Sequence, residues 1–272
     1  MKNVSLICTV YNEEKNLDFF LKSIINQTKL PKEFIIVDGG SKDKTYGLLK
    51  ELSKKYKWIK VFQEMRANIS RGRNFAVEKA KNEVILVCDA GGEYKRDWIE
   101  KMIEGFNGEV SFGMDEPRIT NNFQRILAKK ILHKNVPGSS RNMIFLKKIW
   151  AEVGGYPEDL ERAEDTLFDA RIRKKGYRLS RIPEAICYWE MRKDLKEVKH
   201  QFYGYGYWDG ISQRRHKILP LKYRFLVFTL LITFPVYPIL KLLSLFSLGI
   251  KIDFERRYAY FFGFLRGYIK NE

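Results

Sequence analysis

This sequence is poor in metal-binding side chains. Its 272 residues include three histidines and three cysteines. Cys8, Cys88 and Cys187 stand far apart in no metal-ligand spacing, which excludes a zinc module. Cys8 and Cys88 lie in apolar runs, so they are predicted to be buried free thiols suited to a reducing compartment. Internal repeats and low-complexity tracts are also lacking. With 45% hydrophobic and 31% charged residues, the chain is not a disordered one. The N-terminal residues run directly into a strand pattern, so no signal peptide is expected. No regular motif of a nucleic-acid module is present, and nucleic acid is not an expected partner. Long apolar runs are short too: residues 225–240 carry no charge, but sixteen residues fall below the roughly 20 needed for a full helical span, and Pro235 and Pro238 interrupt them.

Acids are the scarce charge. Lysine and arginine number 50 against 33 acids, a net charge of +17, and such a balance points to an anionic partner. From Arg118 to Lys148 there are eight basic residues and no acid. There Ile126, Leu127, Ile131 and Leu132 interleave with Arg125, Lys129, Lys130 and Lys134, the pattern of a basic amphipathic helix that can lie on an anionic membrane or hold a phosphate. From Lys199 to Glu272 there are 12 basic residues and 4 acids, beside the apolar segment. That combination favours a membrane surface over nucleic acid. Both basic flanks of the segment prefer the cytoplasm, which predicts a chain held at the cytoplasmic face of the cell membrane by a re-entrant hairpin or one tilted span. A buried pair of soluble helices is the alternative.

The first hundred residues alternate between two periods. Val4–Val10, 34–37 and 84–88 are short runs rich in Val and Ile, as in strands covered on both faces. Helical spacing marks residues 13–27, 43–55 and 70–81, and a further helix is expected from Ala163 to Lys175, closed by Gly176. Such alternation predicts an α/β layer architecture with right-handed crossovers. Ligands then bind beyond the carboxyl ends of the strands. The strands end in Tyr11-Asn12-Glu13-Glu14, Asp38-Gly39-Gly40-Ser41 and Asp89-Ala90-Gly91-Gly92-Glu93. Each ending alone reads equally well as a turn or a helix cap. Three acid-bearing endings on successive buried strands predict a shared crevice.

The segments Thr9-Val10-Tyr11-Asn12-Glu13, Val37-Asp38-Gly39-Gly40-Ser41-Lys42-Asp43, Arg71-Gly72-Arg73-Asn74, Asp89-Ala90-Gly91 and Gly154-Gly155-Tyr156-Pro157 with Glu164-Asp165 occur in that order. Together they resemble the family 2 glycosyltransferases of the GT-A fold, over about residues 3–210. The resemblance implies a Rossmann-like, mostly parallel sheet with flanking helices in residues 1–215. C-terminal membrane-associating helices are expected in 216–272. It implies transfer of a sugar, with inversion, from a UDP- or GDP-sugar donor to a lipid-linked or glycan acceptor. Tyr11, Glu13, Asp38, Arg71 and Asp89 are the implied donor-site residues. Tyr11 can stack on base or ribose, Asp38 would accept a hydrogen bond from the base, and Arg71 would meet base or phosphate. Asp89 corresponds to the first carboxylate of Asp-x-Asp, which implies a divalent cation, Mn²⁺ or Mg²⁺, bridging the phosphates.

Two positions depart from the family pattern. Residue 91 is Gly where the second acid stands, with Glu93 nearby, and the position that carries a metal-binding histidine in many relatives is Trp189. Asp165 is the implied general base, with Glu164 on the acceptor side. Read from the residues alone, the pair serves equally well as the acidic start of a helix, and Glu158-Asp159 is a competing acid pair. An acceptor that is already an ionised lipid phosphate would need no base. The aromatic, glycine-rich stretch 200–208 resembles the segment that closes over the donor, and it also suits an interfacial aromatic belt. Gln213-Arg214-Arg215-His216 departs from the motif of processive synthases, so a single-transfer enzyme is expected. The rival reading is a membrane-bound protein that binds nucleotide-sugars without turning them over.

Overall fold

The structure is a computed structural model describing residues 3–131, 139–217 and 241–270. It divides into two compact units, Met1–Glu116 with Pro137–Glu190 and Pro117–Val136 with Met191–Glu272.

The first unit is built on strands β1 (Val4–Val10), β2 (Glu33–Asp38), β3 (Ile59–Gln63), β4 (Val84–Cys88), β5 (Gly92–Tyr94), β6 (Val110–Arg118), β7 (Asn142–Leu146) and β8 (Leu179–Glu190). They form one sheet in the order β3-β2-β1-β4-β7-β6-β8-β5. β3, β2, β1 and β4 are parallel. β7 runs antiparallel to both β4 and β6, and β5 antiparallel to β8. The sheet is therefore mixed rather than mostly parallel. The expectation drew on the first hundred residues, where the parallel strands lie, and β7 is a five-residue strand inside a stretch without readable periodicity.

Period-two alternation within each strand sends side chains into two cores. Leu6, Cys8, Phe34, Ile36, Leu86 and Cys88 pack on one face against helices α1 (Leu17–Ile25), α2 (Thr45–Lys55) and α4 (Trp98–Gly105). Ile7, Ile35, Val37, Ile85 and Val87 pack on the other against α3 (Ile69–Lys79), α6 (Lys147–Glu152) and α7 (Glu164–Lys174). β2 and β4 are buried at every position, as expected of strands covered on both sides. All three cysteines are buried free thiols.

The second unit contains α5 (Asn122–Ile131), α8 (Leu195–His216) and α9 (Leu248–Ile269). α8 and α9 touch backbone to backbone through glycines spaced four apart on each helix. A Cβ at Gly206 would lie 1.9 Å from the carbonyl oxygen of Tyr260, and one at Gly267 1.9 Å from that of Tyr207. Gly210 and Gly263 are equally closed to a side chain. The buried Tyr260 hydroxyl donates to Asp209 at 2.6 Å across the same seam. The apolar stripe of α5 contributes buried Leu127 and Ala128, and Arg256 of α9 donates to the Lys130 carbonyl at 3.3 Å. Arg125 and Lys129 of α5 stay exposed. Stretch 200–208 belongs to the continuous helix α8, so the sequence boundary at 215/216 fell at the end of that helix, whereas the compact second unit takes in all of it. Stretch 225–240 lies outside the described residues. Among the described residues no helix is long and apolar enough to cross a membrane.

Candidate active site

The loops after β1 and β2 are stitched together. Asn12, in the left-handed region at φ 54°, accepts from the Lys42 amide through its side chain and donates its own amide to Ser41 Oγ. Asparagine tolerates that backbone better than most residues. The Glu13 amide donates to Thr45 Oγ1 at 2.8 Å. Asp38 is fully buried, and its carboxylate accepts from the Gly40 and Ser41 amides, the Ser41 hydroxyl and Gln63 Nε2. Its observed role is to hold the turn that shapes the crevice, with both carboxylate oxygens occupied.

Between these loops and the end of β4 opens a cleft of about 350 Å³. Tyr11, Glu13, Gly39, Asn68, Gly72, Asp89, Gly91 and Arg141 are among its lining residues. The crevice expected from three strand endings is thus a single cavity. Gly72 is required where it stands, because a Cβ there would sit 2.6 Å from Thr9 Cγ2 on the neighbouring strand. Tyr11 is 53% exposed, leaving its ring free to take a planar partner. Burial raises the Glu13 carboxyl above its ordinary range, with Asp43 and Asp89 adding to the effect against a bond from Asn16. Arg71 stands apart from the lining. Its amide caps α3 by donating to Asn68 Oδ1, and its guanidinium is paired with Glu64 at 2.6 Å.

The residue that sequence reading passed over is Arg73. It is 2% exposed and donates to Asp89 Oδ1 and to Glu164 Oε1, each at 2.8 Å. Burial opposes its charge, but the two carboxylates hold it cationic. Its guanidinium also lies over the Tyr156 ring. The next residue, Asn74, clamps the Gly155-Tyr156 turn. Its side chain accepts from the Tyr156 amide and Trp150 Nε1 and donates to the Tyr156 carbonyl and Glu158. The Arg-Gly-Arg-Asn motif is thus a joint. Gly72 packs on β1, Arg73 ties β4 to α7, and Asn74 fixes the turn that leads to α7. The available signal was helical spacing: Arg73 and Asn74 fall on the same buried face of α3 as Ala76 and Val77.

Helix α7 opens on Glu164 and Asp165, with Ala163 before them in the left-handed region at φ 65°. That conformation costs a non-glycine residue roughly 1 kcal/mol or more, and strain of this kind concentrates at functional sites. Glu164 is buried, and burial, then Asp165, pushes its carboxyl up to about 7 against the pull of Arg73. Asp165 is half-buried and accepts from the Thr166 amide at 2.7 Å. Glu158 is occupied with Asn74, which leaves Glu164-Asp165 as the acid pair tied to the cleft through Arg73.

The antiparallel strands add three residues not foreseen. Asp115 on β6 is raised to about 6 by burial, against the opposing pull of Arg141. Arg141 lies just before β7, 3.8 Å from Asp115, with its guanidinium over the ring of Trp189 on β8. The Tyr94 hydroxyl accepts from the Asp89 amide at 2.8 Å and donates to the Arg141 carbonyl at 2.9 Å, fixing the two chain segments together.

A divalent cation at Asp89 would find a poor donor set. Asp89 Oδ1 is in the ion pair with Arg73, residue 91 has no side chain, and Trp189 lies beneath Arg141. Among the described residues no group of three or more His, Cys, Asp or Glu is placed to hold a metal ion. These residues do not fit a tightly held cation.

Comparison with known proteins bears on what the cleft does. The family model described as glycosyl transferase family 2 matches residues 5–153. The chain is 24% identical over 268 residues to the dolichyl N-acetyl-alpha-D-glucosaminyl phosphate 3-beta-D-2,3-diacetamido-2,3-dideoxy-beta-D-glucuronosyltransferase of Methanococcus voltae, covering 86% of this chain and 82% of that protein. It is 24% identical over 238 residues to succinoglycan biosynthesis protein ExoA of Rhizobium meliloti, covering 79% and 71%. Among solved structures, the mannosyltransferase PcManGT from Pyrobaculum calidifontis in complex with GDP-Man and Mn²⁺ superposes with a TM-score of 0.72 at 16% identity, covering 99% of this chain and 88% of that one. S. aureus TarS in complex with UDP superposes with a TM-score of 0.56 at 22% identity, covering 75% and 64%. At these identities the superpositions establish a shared GT-A type α/β fold.

Proposed function

Since the chain belongs to glycosyl transferase family 2, and is therefore a nucleotide-sugar-dependent glycosyltransferase, we propose that the cleft lined by Tyr11, Glu13 and Asp89 holds a UDP- or GDP-sugar and that Asp165 receives the acceptor's proton. The carrying observation is the Arg73 bridge from Asp89, in the cleft, to Glu164, the neighbour of Asp165. It ties the donor-side strand end and the acceptor-side helix start to one buried charge. Tyr11 stacks on the base, and the diphosphate lies toward the end of β4. The acceptor oxygen attacks the anomeric carbon from the face opposite the diphosphate. A new carbon–oxygen bond forms as the bond to the β-phosphate oxygen breaks, and the electron pair leaves on the nucleoside diphosphate. The acceptor proton passes to Asp165.

The acceptor class we favour is a hydroxyl on a lipid-linked sugar, of the kind for which the Methanococcus voltae relative is named. Residues 241–251 support a membrane location. Leu245 and Phe246 are 73% and 82% exposed, Leu242 and Leu243 are exposed beside them, and Lys241 and Lys251 flank the patch. Apolar side chains framed by lysines suit the boundary of an anionic bilayer. By the same basic flanks the enzyme sits on the cytoplasmic face.

Asp165→Asn is the direct test. With UDP- and GDP-sugars and a polyprenyl-linked sugar acceptor, turnover is expected to fall by about 10²- to 10⁴-fold while nucleotide affinity is kept. Wild-type turnover in Asp165→Asn would remove the base assignment. Flotation with vesicles of phosphatidylglycerol, against phosphatidylcholine, tests the surface. Binding to the anionic vesicles alone, lost in Leu245→Asp with Phe246→Asp, is expected, and equal flotation of the double variant would sink it.

A further inference from the structure

We propose that Arg141 is the diphosphate-binding group of this enzyme and takes the place that a divalent cation fills beside an Asp-x-Asp motif. The inference rests on the cleft being the donor site. Among the described residues that line the cleft, Arg141 alone carries a positive charge. It stands with Asp89, Ala90 and Gly91, where the phosphates would lie. Its Nε donates to Ser139 Oγ at 3.2 Å, whereas its two terminal amino groups make no hydrogen bond to a described residue. A planar guanidinium with both outer amines open is shaped for two phosphate oxygens at once.

The surroundings hold that guanidinium in position. Trp189 supports its face at 5.5 Å, Asp115 stands 3.8 Å behind it, and the Tyr94 hydroxyl fixes its backbone to that of Asp89. Burial disfavours the charge on Arg141, and Asp115 and Asp89 keep it cationic. The two departures from the family's metal pattern then share one cause. Trp189 serves as the platform for a cation of the chain's own, and Gly91 leaves open the space that a second ligand would occupy, since a Cβ there meets nothing within 4 Å. Asp89, held by Arg73, is left to receive the ribose hydroxyls. As the anomeric carbon–oxygen bond breaks, the charge gathering on the β-phosphate falls on Arg141. No ion has to bind or leave.

The test is calorimetric binding to the full chain of UDP, GDP, uridine and guanosine, in EDTA and in Mn²⁺. The nucleotide that binds is expected to have the same affinity, within a factor of about 3, in both buffers. Arg141→Ala is expected to weaken the nucleoside diphosphate by at least about 30-fold, the scale of one lost charge-assisted hydrogen bond, and to leave the matching nucleoside unchanged. Arg141→Lys should recover part of the loss, since it restores the charge without the fork. Thermal melting of each variant checks the fold independently. Diphosphate binding that vanishes in EDTA while the nucleoside still binds would overturn the role of Arg141 and leave the donor site standing. Failure of every nucleotide and nucleoside to bind the wild type would overturn the donor site, and this assignment with it.

Discussion

The two halves of the sheet carry different kinds of function. The parallel half, β3-β2-β1-β4, ends in backbone turns whose polar groups are satisfied by one another, as at Asp38 and Asn12. It presents a preformed cleft. The antiparallel half supplies ionisable side chains with strained or shifted environments: Asp115 raised to about 6 and Arg141 over Trp189. α7, which follows β7, adds Glu164, raised to about 7. On the proposed function, one half shapes and binds, and the other holds the charge that changes during transfer. Shape can be built from local turns, each legible in a few residues. Tuned charge needs groups brought from several distant segments.

Arg73 joins the two, so removing it should have the largest effect. Arg73→Met takes a buried cation from between Asp89 and Glu164 and leaves both carboxylates facing each other. Breaking a buried pair in this way costs about 3–5 kcal/mol. In a chain of this size the melting temperature is expected to drop by roughly 6–20 °C, measured by calorimetry or circular dichroism. Arg73→Met with Glu164→Gln should recover part of the loss. If Arg73→Met melts like the wild type, the halves are held by something else.

This contrast also explains what the sequence disclosed. Val4–Val10, Asp38 and Asp89 were readable because a buried parallel strand is a short apolar run and its polar ending follows at once. β7 was not readable: Asn142–Leu146 is one polar residue and four apolar ones, a run too short for periodicity to choose strand over helix. Arg141 is one of eight basic residues in a stretch without acids, and only its place beside Asp115 and Trp189 sets it apart. Arg71 drew attention by its position near a helix start, yet the buried arginine of the motif is Arg73, two residues on and on the inner face of α3. Asp165 was reached by resemblance, and the structure adds the left-handed Ala163 that precedes it.

The next effect is a pH dependence of the charged half. Glu164 has its pKa raised in the folded state, so the native protein holds a proton that the unfolded chain releases between pH 4.5 and about 7. Stability from this group therefore increases as pH falls through that window and is lost as pH rises through about 7. The linkage slope is at most about 1.4 kcal/mol per pH unit. Melting temperature between pH 5.5 and 7.5 should accordingly depend on pH less steeply in Glu164→Gln than in the wild type, by no more than about 3–6 °C per unit. Parallel curves would mean that Arg73 keeps Glu164 ionised throughout.

The smallest change in stability, and the sharpest test of the contrast, is Gly91→Asp. Gly91 closes the parallel half, its backbone is not in the left-handed region, and a side chain there meets open space. Stability should shift by no more than the roughly 0.5 kcal/mol typical of an exposed substitution. The added carboxylate stands beside Asp89, whose Oδ1 is committed to Arg73, so it restores the second acid of the motif in the part of the cleft that Arg141 also lines. If the charge device belongs to the antiparallel half, Gly91→Asp should acquire a Mn²⁺-dependent gain in nucleotide affinity that the wild type lacks, and should bind nucleotide more weakly than the wild type in EDTA because the new acid repels the diphosphate. A wild type that already gains affinity with Mn²⁺, and a Gly91→Asp variant that adds nothing to it, would return the device to the parallel half, with Asp89 as the ligand and Arg141 as a bystander held by its tryptophan.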